Sequence, residues 1–316
     1  MKRAAFLFPG QGSQKVGMGQ ALYEAYPDVK HIYNEADEML GYDLSELMFQ
    51  GPEETLTETE HAQPALLLSS VAAHTILLSE GVQPVMTAGH SLGEYSALVA
   101  SGALSLQDAL PLVKRRGQLM EDAFPNGKGA MAAVLGLEES KVIQVLEGIG
   151  EEIVDIANYN CPGQIVISGT KEGIDKASEQ LKSQGAKRVM KLNVSGPFHS
   201  RLMKQANAAF SEELNDVSIR DAQIPVYANV TAEPVTAQDT IKDLLVKQLY
   251  SPVRFEQSVR NMIEQGTDAF VEVGNGKVLS GLVKKIDRSI PTFPIQDVES
   301  LNKFLEWYKG RINAYR

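Results

Sequence analysis

Ser91 lies between two glycines at a junction that predicts a tight turn from a buried strand into a helix. The apolar run that ends at Gly89 predicts the strand, and the helical spacing of residues 92–101 predicts the helix. Gly89 and Gly93 stand two residues to either side of Ser91, which is the G-x-S-x-G spacing of a cramped strand-to-helix bend. Free backbone N–H groups at a helix N-terminus favour developing negative charge. The junction predicts an α/β fold with Ser91 as candidate nucleophile; the alternative is a serine that only caps the helix.

The rest of the chain alternates short apolar strands with amphipathic helices. Ala4–Phe8 predicts a buried strand, and a glycine-rich loop follows at residues 9–14. Strands are also predicted at residues 225–230 and 269–273, and helices at residues 18–40, 61–78, 105–120, 240–249 and 255–265. Such alternation favours a parallel sheet covered by helices. We predict a large α/β-hydrolase-like domain built from residues 1–126 and 193–316.

Residues 127–192 show a different pattern and predict a small inserted subdomain. Strands are predicted at residues 129–135, 152–157, 164–168 and 186–192, and helices at residues 138–146 and 173–183. The order β-α-β-β-α-β is the split βαβ pattern of ferredoxin-like folds. We therefore expect a ferredoxin-like α+β subdomain within the large domain.

A serine nucleophile needs a base, and the chain has five histidines: His31, His61, His74, His90 and His199. His31 and His74 lie in helical patterns and are expected at the surface or the edge of the core, and His61 precedes a helix. His90 adjoins the serine, and adjacent side chains at such a bend point apart. His199 lies in a Gly/Pro loop, and loops often carry catalytic groups. His199 is the candidate base, with a structural loop histidine as the alternative.

No carboxylate between Ser91 and His199 stands out as the third member of a catalytic triad. Asp155, Glu172 and Asp175 all fall within the predicted insert. We expect the base to be oriented by something other than an Asp or Glu side chain.

Composition excludes several classes of function. The 30 basic and 40 acidic residues leave a net charge of -10, which disfavours general binding to nucleic acid or to an anionic membrane. The single cysteine cannot form an internal disulfide. We find no apolar run of membrane-spanning length, and the run after Met1 is too short for a signal peptide, so a cytoplasmic protein is expected. No metal, dinucleotide or P-loop motif is present, so no cofactor or metal is expected.

Several motifs occur together in the chain in a set order. They are Phe8-Pro9-Gly10-Gln11-Gly12-Ser13-Gln14, Gln63-Pro64-Ala65, Gly89-His90-Ser91-Leu92-Gly93-Glu94-Tyr95, Arg116-Gly117, Asn160, Gly196-Pro197-Phe198-His199-Ser200 and Gln248-Leu249-Tyr250-Ser251-Pro252-Val253. This combination resembles the malonyl-CoA:acyl carrier protein transacylases of bacterial fatty-acid synthesis. The resemblance covers about residues 4–300, and the same fold serves as the acyltransferase domain of polyketide synthases.

The resemblance implies a role for each catalytic residue. Ser91 is implied as the acylated nucleophile and His199 as its general base. The backbone carbonyl of Gln248 is implied to orient the histidine in place of a carboxylate. The backbone N–H groups of Gln11 and Leu92 are implied to form the oxyanion hole.

The resemblance also implies that Arg116 binds the malonyl carboxylate, since an arginine fork matches a carboxylate bidentately. The sequence alone does not choose between Arg116, Lys114 and Arg115, although Arg115 would point about 100° away on the helix.

Three further residues are candidates for the acyl pocket. Phe198 would fill the space beside malonyl C2 and disfavour methylmalonyl, and Met120 would lie one turn after Arg116; ordinary packing is the alternative for both. Asn160 is expected in a turn between two strands of the insert, where it would reach the acyl or pantetheine chain. One departure from the family pattern is Asn275, where a proline is common, and little effect is expected from it.

The implied partners are malonyl-CoA and an acidic acyl carrier protein, and we expect a monomer. Because the net charge is negative, docking needs a local basic surface, for which Lys187, Arg188, Lys284 and Lys285 are candidates. The alternatives are a standalone acyltransferase that serves a polyketide synthase, a serine esterase or thioesterase, and a catalytically silent binding scaffold.

Overall fold

In the computed structural model, which describes residues 2–310, the chain forms two sheets. The larger sheet contains strands β1 (Ala4–Phe8), β2 (Met86–Gly89), β7 (Val226–Tyr227), β8 (Pro234–Val235), β9 (Ala269–Val273) and β10 (Thr292–Ile295). The smaller sheet contains strands β3 (Gly129–Leu135), β4 (Val154–Cys161), β5 (Gln164–Thr170) and β6 (Arg188–Lys191).

Fourteen α-helices and one 3₁₀ helix are found within the described residues. The α-helices are α1 (Gln20–Ala25), α2 (Pro27–Leu40), α3 (Leu44–Gln50), α4 (Glu53–Thr57), α5 (Thr59–Ser79), α6 (Gly93–Ala100), α7 (Leu106–Asp122), α8 (Glu139–Glu147), α9 (Lys171–Ser183), α10 (Asn207–Asn215), α11 (Gln238–Gln248), α12 (Phe255–Glu264), α13 (Val278–Ile286) and α14 (Val298–Lys309). The 3₁₀ helix spans Arg201–Ala206.

The larger sheet has the order β10-β9-β1-β2-β7-β8, and every pair in it is parallel except β7 with β8. β1 lies between β2 and β9, and its last residue, Phe8, is in register with Gly89. The carboxyl ends of β1 and β2 therefore meet at one edge. The predicted mixed α/β class with a parallel sheet is confirmed.

Both faces of the larger sheet are buried, which explains why β1 is a continuous apolar run. Ala4, Phe6 and Phe8 belong to one core, and Ala5 and Leu7 belong to a second core on the opposite face. This alternation follows from the two-residue period of a strand.

The smaller sheet is antiparallel, with the order β4-β5-β3-β6. One face packs against α8 and α9 through a core that includes Val142 and Ile174. On β3, Met131 and Ala133 belong instead to the first core of the larger sheet. The smaller sheet is therefore attached to the larger unit by shared apolar packing.

Some predicted elements differ from the observed ones for identifiable reasons. The predicted helix at residues 18–40 is two helices, because Pro27 lacks the N–H that would continue α1 and instead begins α2. The predicted strand at residues 225–230 is only Val226–Tyr227. Asn160 was expected in a turn but lies in β4, so the turn is formed by Pro162 and Gly163.

Helix α5 corrects the expectation about membrane-spanning segments. It has 21 residues, and its most apolar window has a mean hydropathy of 1.3, which suffices by length and composition to cross a membrane. In the folded chain, 83% of that window is buried inside the protein. Its composition is thus explained by its place in the core. His74, expected near the surface, is buried on this helix.

Candidate active site

Ser91 occupies a sharp bend between β2 and α6, with a backbone φ of 52°. The neighbouring glycines are required by close backbone contacts. A Cβ on Gly89 would overlap the carbonyl of Gly93, and a Cβ on Gly93 would overlap the carbonyl of Phe8. Gly10 in the adjoining loop lies equally close to the His90 carbonyl. The spacing seen in the sequence therefore reflects three backbone segments packed without room for a side chain.

His199 reaches Ser91 from the far side of the cleft. Its Nε2 lies 2.8 Å from Ser91 Oγ, and its Nδ1 lies 2.9 Å from the backbone oxygen of Gln248 at the end of α11. A carbonyl oxygen can only accept, so Nδ1 carries the proton and Nε2 presents a lone pair to the hydroxyl. This tautomer lets the imidazole take the Ser91 proton.

The loop that carries His199 is tied down on both sides of the residue. His199 has a φ of 57°, and Ser200 Oγ donates to the Pro197 carbonyl at 2.6 Å. Arg201 Nη2 donates to Asp155 Oδ1 of β4 at 2.6 Å, and the Arg201 backbone N–H donates to Asp155 Oδ2 at 2.8 Å. The smaller sheet thereby holds the segment that begins two residues after the histidine.

The charge beside Ser91 comes from Arg116 on α7, which is 1% exposed. Arg116 Nη2 lies 3.2 Å from Ser91 Oγ and 3.0 Å from Gln248 Oε1, while Nη1 donates to Gln63 Oε1 at 2.7 Å. A Cβ on Gly117 would come within 2.8 Å of the Thr59 carbonyl, so this glycine lets α7 approach α5 and bring the guanidinium in. The site therefore contains a buried cation next to the hydroxyl.

The other two basic candidates on α7 do not enter the site. Arg115 Nε pairs with Glu213 at 3.0 Å, and the Lys114 ammonium lies 4.8 Å from the centre of the Tyr42 ring. The helical spacing of the three residues accounts for their different directions.

Burial and Arg116 together control the protonation of His199. Desolvation, followed by the positive charge of Arg116, lowers the pKa of His199 from 6.5 to about 3. The imidazole is therefore neutral at ordinary pH, as a general base must be.

A buried polar network lies beneath the bend. Gln248 Nε2 donates to Glu94 Oε2 at 2.8 Å and to the Ser91 carbonyl at 3.0 Å. Asn229, just after β7, accepts from the Ser91 backbone N–H at 2.8 Å and donates through Nδ2 to the Gly89 carbonyl at 2.6 Å. Desolvation raises the pKa of Glu94 to about 7, although its hydrogen bonds and Arg116 oppose the shift. Asn229 and Gln248 thereby fix the backbone around the nucleophile, and the Glu94 side chain bonds to these two residues.

A cavity of about 420 Å³ opens onto Ser91 and His199. Phe198 and Met120 line it, and they are 4% and 2% exposed. Gln11 lies at its rim in the loop after β1. The cavity has room for a small acyl chain next to the hydroxyl.

Two asparagines of β4 have different surroundings. Asn160, the residue singled out in the sequence, pairs through Oδ1 with His90 Nε2 at 2.8 Å. Asn158 lines the cavity, and its Oδ1 is buried without a hydrogen-bond partner among the described residues. A buried acceptor without a partner, on a residue that lines a cavity, is a candidate to accept from an N–H group of a ligand.

The backbone N–H groups of Gln11 and Leu92 lie at the ends of two adjacent strand-to-loop connections. Within residues 2–310 neither N–H donates to a protein acceptor. Gln11 is anchored through its side chain, whose Nε2 donates to Thr59 Oγ1 at 3.1 Å. Both N–H groups are thus available to a developing oxyanion.

Four residues of the site received no role in sequence reasoning: Gln63, Glu94, Asn158 and Asn229. No local signal distinguishes Asn158 from Asn160 in the same strand. Gln63 had a detectable signal, since it is a polar residue within an apolar helical run. Asn229 follows a strand at the edge of the sheet where ligands bind in α/β folds. Glu94 had no such signal, because nothing local distinguishes a buried carboxylate from an exposed one in the first turn of a helix.

Potential metal ligands are found outside this cluster. Glu58, Glu60 and His61 bring three ligand atoms within 4.8 Å of one another near the start of α5. His61 already contacts Glu58 at 3.5 Å and Tyr42 at 3.4 Å, and Glu58 is exposed. We assign no metal to this surface group.

Comparisons with known proteins agree over the whole chain. Residues 5–301 match the family described as "Acyl transferase domain". The malonyl CoA-acyl carrier protein transacylase of Bacillus subtilis (strain 168) is 51% identical over 311 residues, which cover 98% of each protein.

Solved structures give the same result. An acyl carrier protein S-malonyltransferase from Vibrio cholerae superimposes with a TM-score of 0.94 at 44% identity, covering 96% of this chain and 100% of that one. A malonyl-transacylase in complex with a type II PKS acyl-carrier protein superimposes with a TM-score of 0.95 at 41% identity, covering 96% and 99%.

Proposed function

This chain belongs to the acyl transferase domain family, and from that premise we propose that it transfers malonyl groups from malonyl-CoA to the phosphopantetheine thiol of an acyl carrier protein in fatty-acid synthesis. The observation that carries the proposal is the buried Arg116 guanidinium, whose Nη2 is 3.2 Å from Ser91 Oγ. A cation beside the nucleophile matches an acyl group that ends in a carboxylate. Hydrolysis of a simple ester does not require such a cation.

The first half-reaction loads the enzyme. Ser91 Oγ attacks the thioester carbonyl of malonyl-CoA while His199 Nε2 takes the hydroxyl proton. The C–S bond then breaks, the proton passes from His199 to the departing CoA sulfur, and malonyl remains as an ester on Ser91. The carrier thiol reverses these steps in the second half-reaction, so the kinetics are ping-pong.

The tetrahedral intermediate carries an oxyanion that the N–H groups of Gln11 and Leu92 stabilise. One such donor contributes on the order of 3 kcal/mol to the transition state. The chemistry needs no cofactor, because the thioester itself supplies an activated acyl group.

Arg116 pairs with the malonyl carboxylate and thereby selects a dicarboxylic half-ester. Burying an unpaired carboxylate is costly, so the pairing also fixes where the acyl chain lies. Binding of this anion beside Arg116 weakens the cation's effect on His199, which raises the basicity of the imidazole when the correct substrate is bound.

The cavity side chains restrict the acyl group further. Phe198 and Met120 leave little room beside malonyl C2 and disfavour methylmalonyl, an effect of about 1–3 kcal/mol per methyl group. Asn158 Oδ1 accepts from an amide N–H of the pantetheine arm, and Asn160 acts through His90.

There are two alternatives, of which one differs in the carrier protein and the other in the reaction. A standalone acyltransferase for polyketide synthesis is favoured by one observation, the similarity to a transacylase solved with a type II PKS acyl-carrier protein. Comparing transfer to fatty-acid and polyketide carrier proteins distinguishes the two. An esterase or thioesterase is disfavoured by the Arg116 position.

We also propose a domain organisation, a cellular location and an oligomeric state for this protein. The large α/β-hydrolase-like domain comprises residues 1–126 and 193–316, and residues 127–192 form a ferredoxin-like subdomain that carries one wall of the cleft. We propose a cytoplasmic monomer, consistent with a single buried thiol at Cys161. The carrier docks through Lys187 and Arg188 or through Lys284 and Lys285, all of which are exposed.

The decisive experiment is intact-mass analysis after exposure to malonyl-CoA, followed by addition of a holo carrier protein. We expect a malonyl adduct on Ser91 that disappears as the carrier gains it. Ser91→Ala removes the adduct, whereas Ser96→Ala, which changes a buried serine on the helix that follows, retains it. Absence of an adduct on the unmodified protein would overturn the proposal.

Arg116→Ala tests the selectivity. We expect malonyl transfer to fall by about 100-fold or more while hydrolysis of the remaining acyl-enzyme increases relative to transfer. Unchanged malonyl transfer would remove Arg116 from the mechanism.

A further inference from the structure

The side chain of Gln248 bridges a buried guanidinium and a buried carboxyl group. Its Oε1 accepts from Arg116 Nη2 at 3.0 Å, and its Nε2 donates to Glu94 Oε2 at 2.8 Å. Glu94 is 3% exposed. The carboxylate therefore reaches the guanidinium through an amide and not directly.

The surroundings determine which way this amide points. Besides Glu94, the Nε2 side faces the Ser91 carbonyl at 3.0 Å and Asn229 Oδ1 at 3.1 Å. A flipped amide would place its oxygen against these three acceptors and its NH₂ group against the guanidinium. Glu94 Oε2 also accepts from the Asn229 backbone N–H at 3.1 Å, so two donors fix this oxygen as an acceptor, and both hydrogen bonds are charge-assisted when the carboxyl is ionised. Glu94 therefore contributes most to the observed orientation.

Arg116 is therefore hydrogen-bonded to uncharged groups. Its acceptors are the amide oxygens of Gln63 and Gln248 and the Ser91 hydroxyl, and among residues 2–310 no carboxylate hydrogen-bonds to it. A carboxylate paired directly with Arg116 would compete with a substrate carboxylate. Because the Gln248 amide lies between Glu94 and Arg116, it satisfies the buried guanidinium and leaves it able to pair with a substrate carboxylate.

We propose that Glu94 is a positioning residue for acyl selectivity, which fixes the Gln248 amide so that Arg116 stays aligned beside Ser91 without being neutralised. The proposal rests on the proposed function, because it concerns how Arg116 is prepared for a malonyl carboxylate. Glu94 itself touches neither the acyl group nor the reacting atoms. Its loss affects substrates that use Arg116 and spares those that do not.

The test compares single-turnover loading of Ser91 from malonyl-CoA and from acetyl-CoA. We expect Glu94→Ala to lower the malonyl kcat/KM by about tenfold or more and to change the acetyl value by less than about twofold. Glu94→Gln should lie between Glu94→Ala and the unmodified protein, because its amide oxygen can still accept from Gln248 Nε2.

Glu272→Gln is the matched control. Glu272 is also a buried carboxylate, 1% exposed, and it accepts from the backbone N–H groups of Leu279 and Ser280 at the start of α13. Neutralising it should change malonyl and acetyl loading by the same factor, since it has no contact with the site.

Equal losses for the two acyl groups in Glu94→Ala, or no loss for either, would overturn the proposal. Should Glu94→Ala fail to fold, Glu94→Gln gives the same comparison, because it keeps an acceptor for Gln248 Nε2 and removes only the ionisable group; it must also lower malonyl loading more than acetyl loading. Failure of the proposed function is a different result: the unmodified protein would not load malonyl, or Arg116→Ala would not affect it.

Discussion

Ser91 and His199 both have a left-handed backbone, with φ of 52° and 57°, and their side chains meet at 2.8 Å. Each such conformation costs about 1–2 kcal/mol for a residue with a side chain. Surrounding contacts maintain both, including Asn229 at the Ser91 N–H and the Arg201 contacts with Asp155. Backbone strain is thus present at Ser91 and His199, the two residues between which the proton moves.

The tight bend at Ser91 predicts that Gly89→Ala is strongly destabilising. The added Cβ would overlap the Gly93 backbone, which cannot rotate away as a side chain could. We expect a loss of about 3 kcal/mol in the free energy of unfolding, or failure to fold. Gly281→Ala is the control, because a Cβ there meets nothing within 4 Å, and it should stabilise α13 by up to about 1 kcal/mol. Urea unfolding measures both; a stable Gly89→Ala protein would show that the bend can relax.

The second prediction concerns the titration of His199. Its pKa of about 3 reflects burial first and the Arg116 charge second. Arg116→Gln removes a like charge from the vicinity of the imidazolium, so the His199 pKa should rise, yet burial keeps it below 6.5. Imidazole ¹⁵N chemical shifts followed against pH report the midpoint.

His74 serves as the internal reference for that titration. Burial lowers its pKa to about 4, and it packs against the rings of Phe6 and Phe8. Its midpoint should not move in Arg116→Gln. A His199 midpoint that also fails to move would mean that Arg116 does not act on the base electrostatically.

Asn275, the departure from the family's usual proline, holds the loop that carries Gln11. Its Nδ2 donates to the Ser13 carbonyl at 2.7 Å, a bond that no proline can make. We expect Asn275→Ala to lower the free energy of unfolding by about 1 kcal/mol and to slow malonyl loading, because the loop becomes less fixed. Asn215→Ala, which removes only an exposed 3.4 Å contact with Lys242, should change neither. Full stability and activity in Asn275→Ala would support the original expectation of little effect.

The carrier docking surface is tested by charge reversal. Replacing Lys284 and Lys285, or Lys187 and Arg188, by glutamate should raise KM for the carrier protein and leave KM for malonyl-CoA unchanged, since only the carrier presents an extended acidic surface. The effect should weaken as ionic strength rises. The double variant Lys30→Glu with Lys303→Glu, at exposed positions of α2 and α14, makes the same change in net charge and is the control. If neither pair alters carrier kinetics, docking occurs elsewhere.

Local patterns were sufficient for much of the fold. Strands β3 and β9 were predicted with their observed bounds, because each is a short apolar run limited by turn residues. The missed elements are mostly short, and their formation depends on the units they pack against; they are β8, β10, α3, α4, α10, α13 and α14. The two-residue strand β7 was overestimated for the same reason.

Local features of the sequence indicate which reactive groups the site contains. Ser91 and His199 are identified by local features, namely glycines that permit a bend and a loop that frees a side chain. The contacts around these two residues depend on the tertiary structure. In it, Asn160 pairs with His90, Asn158 lines the cavity, and Gln248 separates Glu94 from Arg116. The physical reason is the distance along the chain over which each effect acts. Steric restriction of the backbone acts within a few residues, whereas most of these partners are separated by tens to more than a hundred residues. They meet only when the sheet order and the helix packing bring them together.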